Sequence, residues 1–340
     1  MAEEELHDWE RLCELIWGCA IGQALHVFAE LDIPEILDAA PSSAEHLAVT
    51  TGADPWTLET VLRALLAYDV LSIDGEQKYA LTQMGRLLLR SADGPSAGEA
   101  RDFFETIFRP LGALSHVIKT GGTAFDHVYG RSFYDHLAER PALSAHFYDT
   151  MEATAPQRYA GLSSVVDFSG VARVVDVGGG DGSLVIDMVR EHPHLHGVVF
   201  DVPGVSGRAR ARISAAGLAS RCEVVSGDFR TGVPAGGSLY VLANVLNNCR
   251  DDAARCVLGN CRAAMNDGAR LLVLEPIYVQ GAQPRWAALV SLGVMAQRGG
   301  RTRSEVQLRS LIETAGFRIE SIRRLPASAT CATEAWTRPA

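Results

Sequence analysis

Residues 173–192 read RVVDVGGGDGSLVIDMVREH, and this stretch decides the fold. Val174, Val175 and Val177 make a short apolar run, the pattern of a strand buried on both faces. Gly178-Gly179-Gly180-Asp181-Gly182 follows directly, and SLVIDMVREH then repeats apolar residues at helical spacing. A strand, a glycine-rich turn and a helix in this order predict the first unit of a doubly wound α/β sheet. Downstream, HGVVFDV (196–202), CEVVSGD (222–228), LYVLANV (239–245) and RLLVLEP (270–276) are further apolar runs separated by helix-length stretches. Continuous Val/Leu runs suit strands covered by helices on both faces, so a parallel sheet is predicted across 166–340.

Upstream the period changes. Leu12, Leu15, Ile16, Cys19 and Ala20 fall three and four residues apart, predicting an amphipathic helix, with a second around Gly22–Leu31. Ser42 or Ser43, with Glu45, marks the start of a short helix to Val49. Asp54-Pro55 opens another, with Leu58, Val61, Leu62 and Leu65 on one face. VLSIDGEQKYALT (70–82) holds two β-prone runs around Asp74-Gly75, a hairpin signal. Helices followed by a hairpin predict a winged-helix-like domain over 1–95. Such a shape invites a DNA-binding reading, which charge opposes. Residues 1–120 hold eight Lys/Arg against twenty Asp/Glu, and DPWTLETVLRALLAY, the would-be recognition helix, carries a single Arg. Phosphate contact needs a basic face. The apolar helix faces are better suited to a second copy of the chain.

Residues 96–165 form a linker. The segment SADGPSAGE (91–99) reads as a loop, and GGTAFDHVYG (121–130) as a turn-rich loop. Between and after them stand Phe103, Phe104, Phe108, Phe133, Tyr134, Phe147 and Tyr148, which are either core rings or the lining of an aromatic substrate's pocket. The whole chain has 340 residues, 47% hydrophobic and 21% charged, with a net charge of −10. That composition is globular and argues against nucleic acid or an anionic membrane as partner. The acidic start MAEEELHDWE lacks a secretory pattern, and no apolar run of about 18 residues appears, so no membrane-spanning helix is predicted. Seven cysteines without a CxxC pair read as reduced thiols of a cytoplasmic protein, with no zinc site.

The glycine turn also discriminates between cofactors. Dinucleotide folds use GxGxxG. Here the third glycine falls at Gly182, giving GxGxG, and acids flank the turn at Asp176 and Asp181. Carboxylates repel a pyrophosphate but suit a ligand bearing an amino group and a sulfonium. Asp201, ending the second strand, can take two ribose hydroxyls, while Asp228 and Phe229 offer an acceptor and a ring to an adenine. Together they point to S-adenosylmethionine (SAM), with S-adenosylhomocysteine as product.

On RVVDVGGGDG, GVVFDVPGV, VSGDF, LNNCRDDAA, LLVLEP and RTRSEVQLRSLIETAGF the chain resembles the class I SAM-dependent small-molecule O-methyltransferases of bacteria and plants. These have an N-terminal helical dimerisation domain, and the resemblance covers nearly the whole chain. It implies a Rossmann-like catalytic domain, a homodimer whose N-terminal helices help close the partner's pocket, and an aromatic substrate of secondary metabolism such as antibiotic biosynthesis. It implies SAM contacts from Asp176, Gly178, Gly180, Asp201, Asp228, Phe229 and Asn244. FYDTM resembles the family's helix whose Met, here Met151, lies over cofactor and substrate. Phe104, Phe147, Trp286 and Met295 are the other candidate substrate contacts.

One position departs from the family. Many members carry a His base in a Leu-His-Asp-Trp segment, which here reads Leu246-Asn247-Asn248-Cys249. All ten histidines lie at or before His196. An Asn amide cannot accept a proton at neutral pH and can only orient by hydrogen bonds. Anthracycline-type O-methyltransferases and phenazine N-methyltransferases resemble this chain in lacking the His, and LGNCRAAM is most like the phenazine type. Asn247 and Asn248 are therefore the candidate catalytic residues, orienting an acceptor already nucleophilic enough to react by proximity. The alternative is a SAM-binding relative that no longer transfers methyl and performs hydroxylation, decarboxylation or pericyclic chemistry. Oxygen, nitrogen and carbon all stay open as methyl acceptors. Glu275 matches an acid that flanks the family base; with no His to orient, the alternative is capping or pairing with an Arg. His146 is a conceivable substitute base, and Arg301 and Arg303 either hold an acidic substrate group or lie on the surface.

Overall fold

The computed structural model describes residues 3–90, 96–281 and 284–337, excepting the side chains at 3–6, 96, 97, 99 and 103. The chain divides into two compact units, Met1–Gly112 with Pro141–Ala153, and Ala113–Arg140 with Thr154–Ala340.

The first unit is helical with one hairpin. Its elements are α1 (Glu3–Glu30), α2 (Ile33–Ala39), α3 (Ala44–Thr51), α4 (Pro55–Ala67), strands β1 (Leu71–Ile73) and β2 (Tyr79–Leu81), and α5 (Ser96–Phe103). The helix starts follow side-chain capping. The Ser43 side chain accepts the His46 N–H, and Asp54 accepts the Thr57 N–H ahead of Pro55. Leu71 pairs with Leu81 and Ile73 with Tyr79 across the hairpin. Phe28, Ile33, Leu37, Leu47, Leu58, Leu62, Leu65 and Tyr79 form the core. Arg101 pairs with Asp32 and Glu35, tying α5 to the start of α2.

Two expectations change here. The helix predicted around Gly22–Leu31 is the second half of one 28-residue α1. A lone glycine costs about 1 kcal/mol in a helix, too little to end one that has no proline or cap at that point. By length and composition alone, His7–Glu30 is apolar enough to cross a membrane, against the expectation of no such run, and Asp8, Glu10, Arg11 and Glu14 interrupt its start. The apolar residues of its first half are outward, with Leu15 74% and Trp17 69% exposed beside Trp9, Leu12 and Ile16, while Phe28 near its end is in the core. Of the expected loop SADGPSAGE, 91–95 lie outside the described residues, and the chain is helical from Ser96.

The second unit is built on a seven-stranded sheet of order β5-β4-β3-β6-β7-β9-β8. The strands are β3 (Arg173–Val177), β4 (His196–Asp201), β5 (Cys222–Ser226), β6 (Leu239–Ala243), β7 (Arg270–Pro276), β8 (Phe317–Arg324) and β9 (Thr330–Thr337). The first five are parallel, as the apolar runs predicted, and β9 pairs antiparallel with both β7 and β8. Two apolar cores sandwich the sheet, one around Val174, Val185 and Val199, the other around Val175, Tyr240 and Val273. The order reverses between β3 and β6, so the chain leaves these neighbours in opposite directions and opens a crevice at their carboxyl ends. GGTAFDHVYG is not a loop throughout. Thr123 caps a helix Ala124–Tyr129 by accepting the Asp126 N–H, and Gly130 ends it at φ 69°.

Candidate functional site

The crevice begins with the glycine turn after β3. Gly178, Gly180 and Gly182 have φ of 76°, 57° and 81°, a region that side chains rarely enter. At Gly178 the space is also closed, since a Cβ would stand 2.8 Å from Val245 Cγ2 and 3.6 Å from the Phe229 ring. Phe229 therefore lies directly over the turn, its carbonyl held by Asn260 Nδ2 at 2.8 Å. Asp201 supports the turn from β4, accepting the Gly180 N–H at 2.8 Å and the Val202 N–H at 2.7 Å.

Beneath the turn is an uncompensated acid. Asp176 is 1% exposed, and its Oδ1 is buried without a hydrogen-bond partner. Burial pushes its carboxyl up to about 8, and the nearby Asp201 and Asp181 add to the shift. Asp181 is neutralised by Arg212 at 2.5 Å and bonded by Ser183. Asp228 is held by the Arg230 guanidinium, which lowers its carboxyl. A buried carboxylate with an idle oxygen, beside a second acid that among the described residues only backbone N–H groups satisfy, suits a cationic ligand. The ammonium and sulfonium of SAM meet that requirement, and the residues present fit the cofactor.

Beyond β6, Asn244 takes a left-handed φ of 53°. Its Nδ2 donates to the Tyr159 hydroxyl at 2.8 Å, and its Oδ1 accepts Asn247 Nδ2 at 3.3 Å. Leu246–Asn248 form one turn of 3₁₀ helix. The Asn247 N–H donates to Glu275 Oε1 at 2.8 Å, and Asn248 Nδ2 donates to the Asn244 carbonyl at 2.6 Å. Asn248 Oδ1 accepts from Arg298 at 2.7 Å, and the Arg298 guanidinium covers the Phe133 ring. Asn247 is buried, and its Oδ1 has no hydrogen-bond partner. Glu275 is fully buried, which pushes its carboxyl up to about 7 against the hydrogen bonds from Asn247 and Leu246.

The second unit thus brings Asp176, Gly178, Gly180, Asp201, Phe229, Asn244, Asn247 and Asn248 to one end of the sheet. On the helix Arg285–Arg298, Trp286 is exposed and Met295 half-buried. Phe104, Phe147 and Met151 belong to the first unit. There Phe104 stacks on His26 at 5.6 Å, Phe147 meets Tyr148 edge-on at 5.2 Å, and Met151 is half-buried. His146 Nδ1 lies 3.2 Å from Asp102, within the same unit. Arg303 is neither on the surface nor free for a substrate anion, because it is buried on protein acceptors, while Arg301 is exposed near Asp251. Sequence reading missed Tyr159 and Arg298, which carry no local motif.

A family profile described as an O-methyltransferase domain matches residues 111–318, and one described as an O-methyltransferase dimerisation domain matches residues 13–91. The chain belongs to the O-methyltransferase family. O-Demethylpuromycin-O-methyltransferase of Streptomyces alboniger is 36% identical over 93% of this chain and 86% of its own length. The crystal structure of NcsB1, an O-methyltransferase from neocarzinostatin biosynthesis in complex with SAM and 2-hydroxy-5-methyl naphthoic acid, is 31% identical. It superposes with a TM-score of 0.83 over 93% of this chain and 96% of that one. The aclacinomycin 10-hydroxylase RdmB of Streptomyces purpurascens is 33% identical over 93% of this chain and 86% of its own length. This O-methyltransferase family member is accordingly a SAM-dependent methyltransferase, and the exposed Leu15, Ile16 and Trp17 of α1 fall within its dimerisation-domain match.

Proposed function

We propose that this enzyme methylates the hydroxyl of a small, acidic aromatic secondary metabolite, with Asn247 and Asn248 placing the acceptor and no His base. The observation that carries this reading is Asn247 Oδ1, a buried acceptor with no partner on a turn whose N–H is fixed by Glu275. An unpaired buried acceptor costs about 1–3 kcal/mol unless a ligand satisfies it, and a phenolic O–H does so. When bound, SAM supplies an electrophilic methyl group. Asn247 Oδ1 accepts the hydroxyl hydrogen and so points an oxygen lone pair in one direction, while Asn248, braced by Arg298, holds the turn. The hydroxyl keeps its hydrogen on Asn247 until the acceptor oxygen is alkylated, and the proton of an acidic phenol then leaves to solvent, so orientation without a base is sufficient.

We assign the cofactor contacts to Asp176, Gly178, Gly180, Asp201, Asp228, Phe229 and Asn244. Asp176 and Asp201 offset positive charge, Phe229 stacks on the adenine, and Asp228 accepts its amine while Arg230 turns aside. Substrate contact is assigned to Phe104, Phe147 and Met151 and, independently, to Trp286 and Met295. The domain partition 1–95, 96–165 and 166–340, a homodimer and a cytoplasmic location complete the reading.

The test is a mass-spectrometric assay with methyl-labelled SAM and a panel of phenols, naphthoates and phenazines. Label on a product oxygen with equimolar S-adenosylhomocysteine supports the reading. Conversion without label, at constant SAM, overturns it in favour of the changed chemistry that RdmB's name carries. Asn247→Ala should lower turnover about 10²-fold.

A further inference from the structure

We propose that Arg303 is a positioning residue that fixes Asn247 by gripping the backbone on both sides of it. This rests on the proposed role of Asn247. The Arg303 guanidinium is 3% exposed. It donates to the Leu246 carbonyl at 2.6 Å and to the Cys249 carbonyl at 2.8 Å, the residues that bracket Asn247-Asn248. Nε and a second N–H reach Asp251 Oδ1 at 3.0 and 2.8 Å. The Leu246 carbonyl also closes the one-turn 3₁₀ helix by accepting the Cys249 N–H at 3.0 Å, so Arg303 adds a charged donor to that bond and a second one at the Cys249 carbonyl. Asp251 balances the charge, as a buried guanidinium requires.

The grip is anchored. The Arg303 carbonyl accepts the Tyr278 N–H at 2.9 Å just past β7, and Ser304 starts the next helix with a full capping box. Glu275, which holds the Asn247 N–H, lies on that same strand. One strand end therefore restrains the turn through its N–H and through two of its carbonyls. Gly300 closes the remaining side, because a Cβ there would fall 2.1 Å from the Asn247 carbonyl oxygen. A lysine is a point charge and cannot span two carbonyls and a carboxylate from one plane.

The test is a double-mutant cycle of Arg303→Lys and Asn247→Ala. It uses the full-length enzyme, methyl-labelled SAM and the acceptor returned by the labelled panel. Hydrogen exchange of the 244–250 peptide and SAM affinity by calorimetry are read alongside. The expected result is a fall in kcat of about tenfold or more in Arg303→Lys, with acceptor KM and SAM Kd within about twofold. The 244–250 amides should exchange faster, and Arg303→Lys should cause no further loss in an Asn247→Ala background. Asp251→Asn, which loosens the grip without removing it, should fall between. An undiminished loss in the Asn247→Ala background overturns the inference, as does unchanged kcat or unchanged exchange. If Asn247→Ala alone keeps full turnover, the role of Asn247 fails first, and that single variant reports it separately.

Discussion

Glu275 Oε1 accepts the backbone N–H of Asn247 at 2.8 Å, joining the acid at the end of β7 to the amide-bearing turn after β6. The contact gives Glu275 a task that does not require a histidine neighbour. Burial holds its carboxyl near 7, above the ordinary 4.5. A raised carboxyl favours the fold below its unfolded value, and that contribution is lost as pH climbs from about 4.5 through about 7. At about 1.4 kcal/mol per unit the span is on the order of 3–4 kcal/mol. Glu275→Gln keeps an acceptor oxygen for Asn247, so urea midpoints of the variant should vary less across pH 5–8 than those of the parent.

Asp176 follows the same sign over a wider window. Its carboxyl rises from 3.8 to about 8, so the cofactor-free protein loses stability as pH rises between those values. The cationic cofactor favours the ionised form. SAM affinity measured by calorimetry should strengthen from pH 6 to about 8, with proton release seen as a binding enthalpy that varies with buffer ionisation heat. Asp176→Asn should stabilise the free protein at pH 8, weaken SAM binding and flatten its pH dependence. A variant that binds SAM as tightly as the parent would remove Asp176 from the cofactor site.

Gly300→Ala inserts a methyl group 2.1 Å from the Asn247 carbonyl oxygen. Such overpacking against backbone costs about 1–3 kcal/mol. We expect thermal unfolding a few degrees lower and turnover reduced beyond the change in SAM affinity. Full activity with an unchanged melting curve would mean the turn moves freely.

Leu15 and Trp17 on α1 are 74% and 69% exposed, an apolar surface in the dimerisation-domain match. A Leu15→Asp, Trp17→Asp pair puts charge where apolar area is to be covered. The parent should run as a dimer in sedimentation, and the double variant as a monomer of lower thermal stability. A parent that stays monomeric at high concentration would leave α1 to another role.

The sequence announced what is local. The glycine turn, the five parallel strands and the Asp54-Pro55 and Ser43 helix starts are each written in a few adjacent residues. The helix Ala124–Tyr129 was legible too, since Thr123 stands three residues before Asp126, but the flanking glycines outweighed that cap. Strands β8 and β9 were hidden because FRIESIRR and TCATEAWT mix charged and polar residues into an antiparallel pair, unlike the Val/Leu runs before them. What sets the site is distant in sequence. Tyr159 meets Asn244 across 85 positions and Arg303 meets Leu246 across 57, contacts that no spacing rule encodes. The idle oxygens of Asp176 and Asn247 emerge only when burial is known.

Asn244 carries a tension that bears on redesign. Its backbone stands at φ 53°, a conformation costing an ordinary side chain on the order of 1 kcal/mol. A glycine there would relax the chain and raise the melting temperature, and automated stabilisation would select it. The same change would erase the side chain linking the Tyr159 hydroxyl to the Asn247 amide. On the cofactor role proposed for Asn244, robustness and chemistry pull in opposite directions here, so a hardened biocatalyst has to find its added stability elsewhere in the chain.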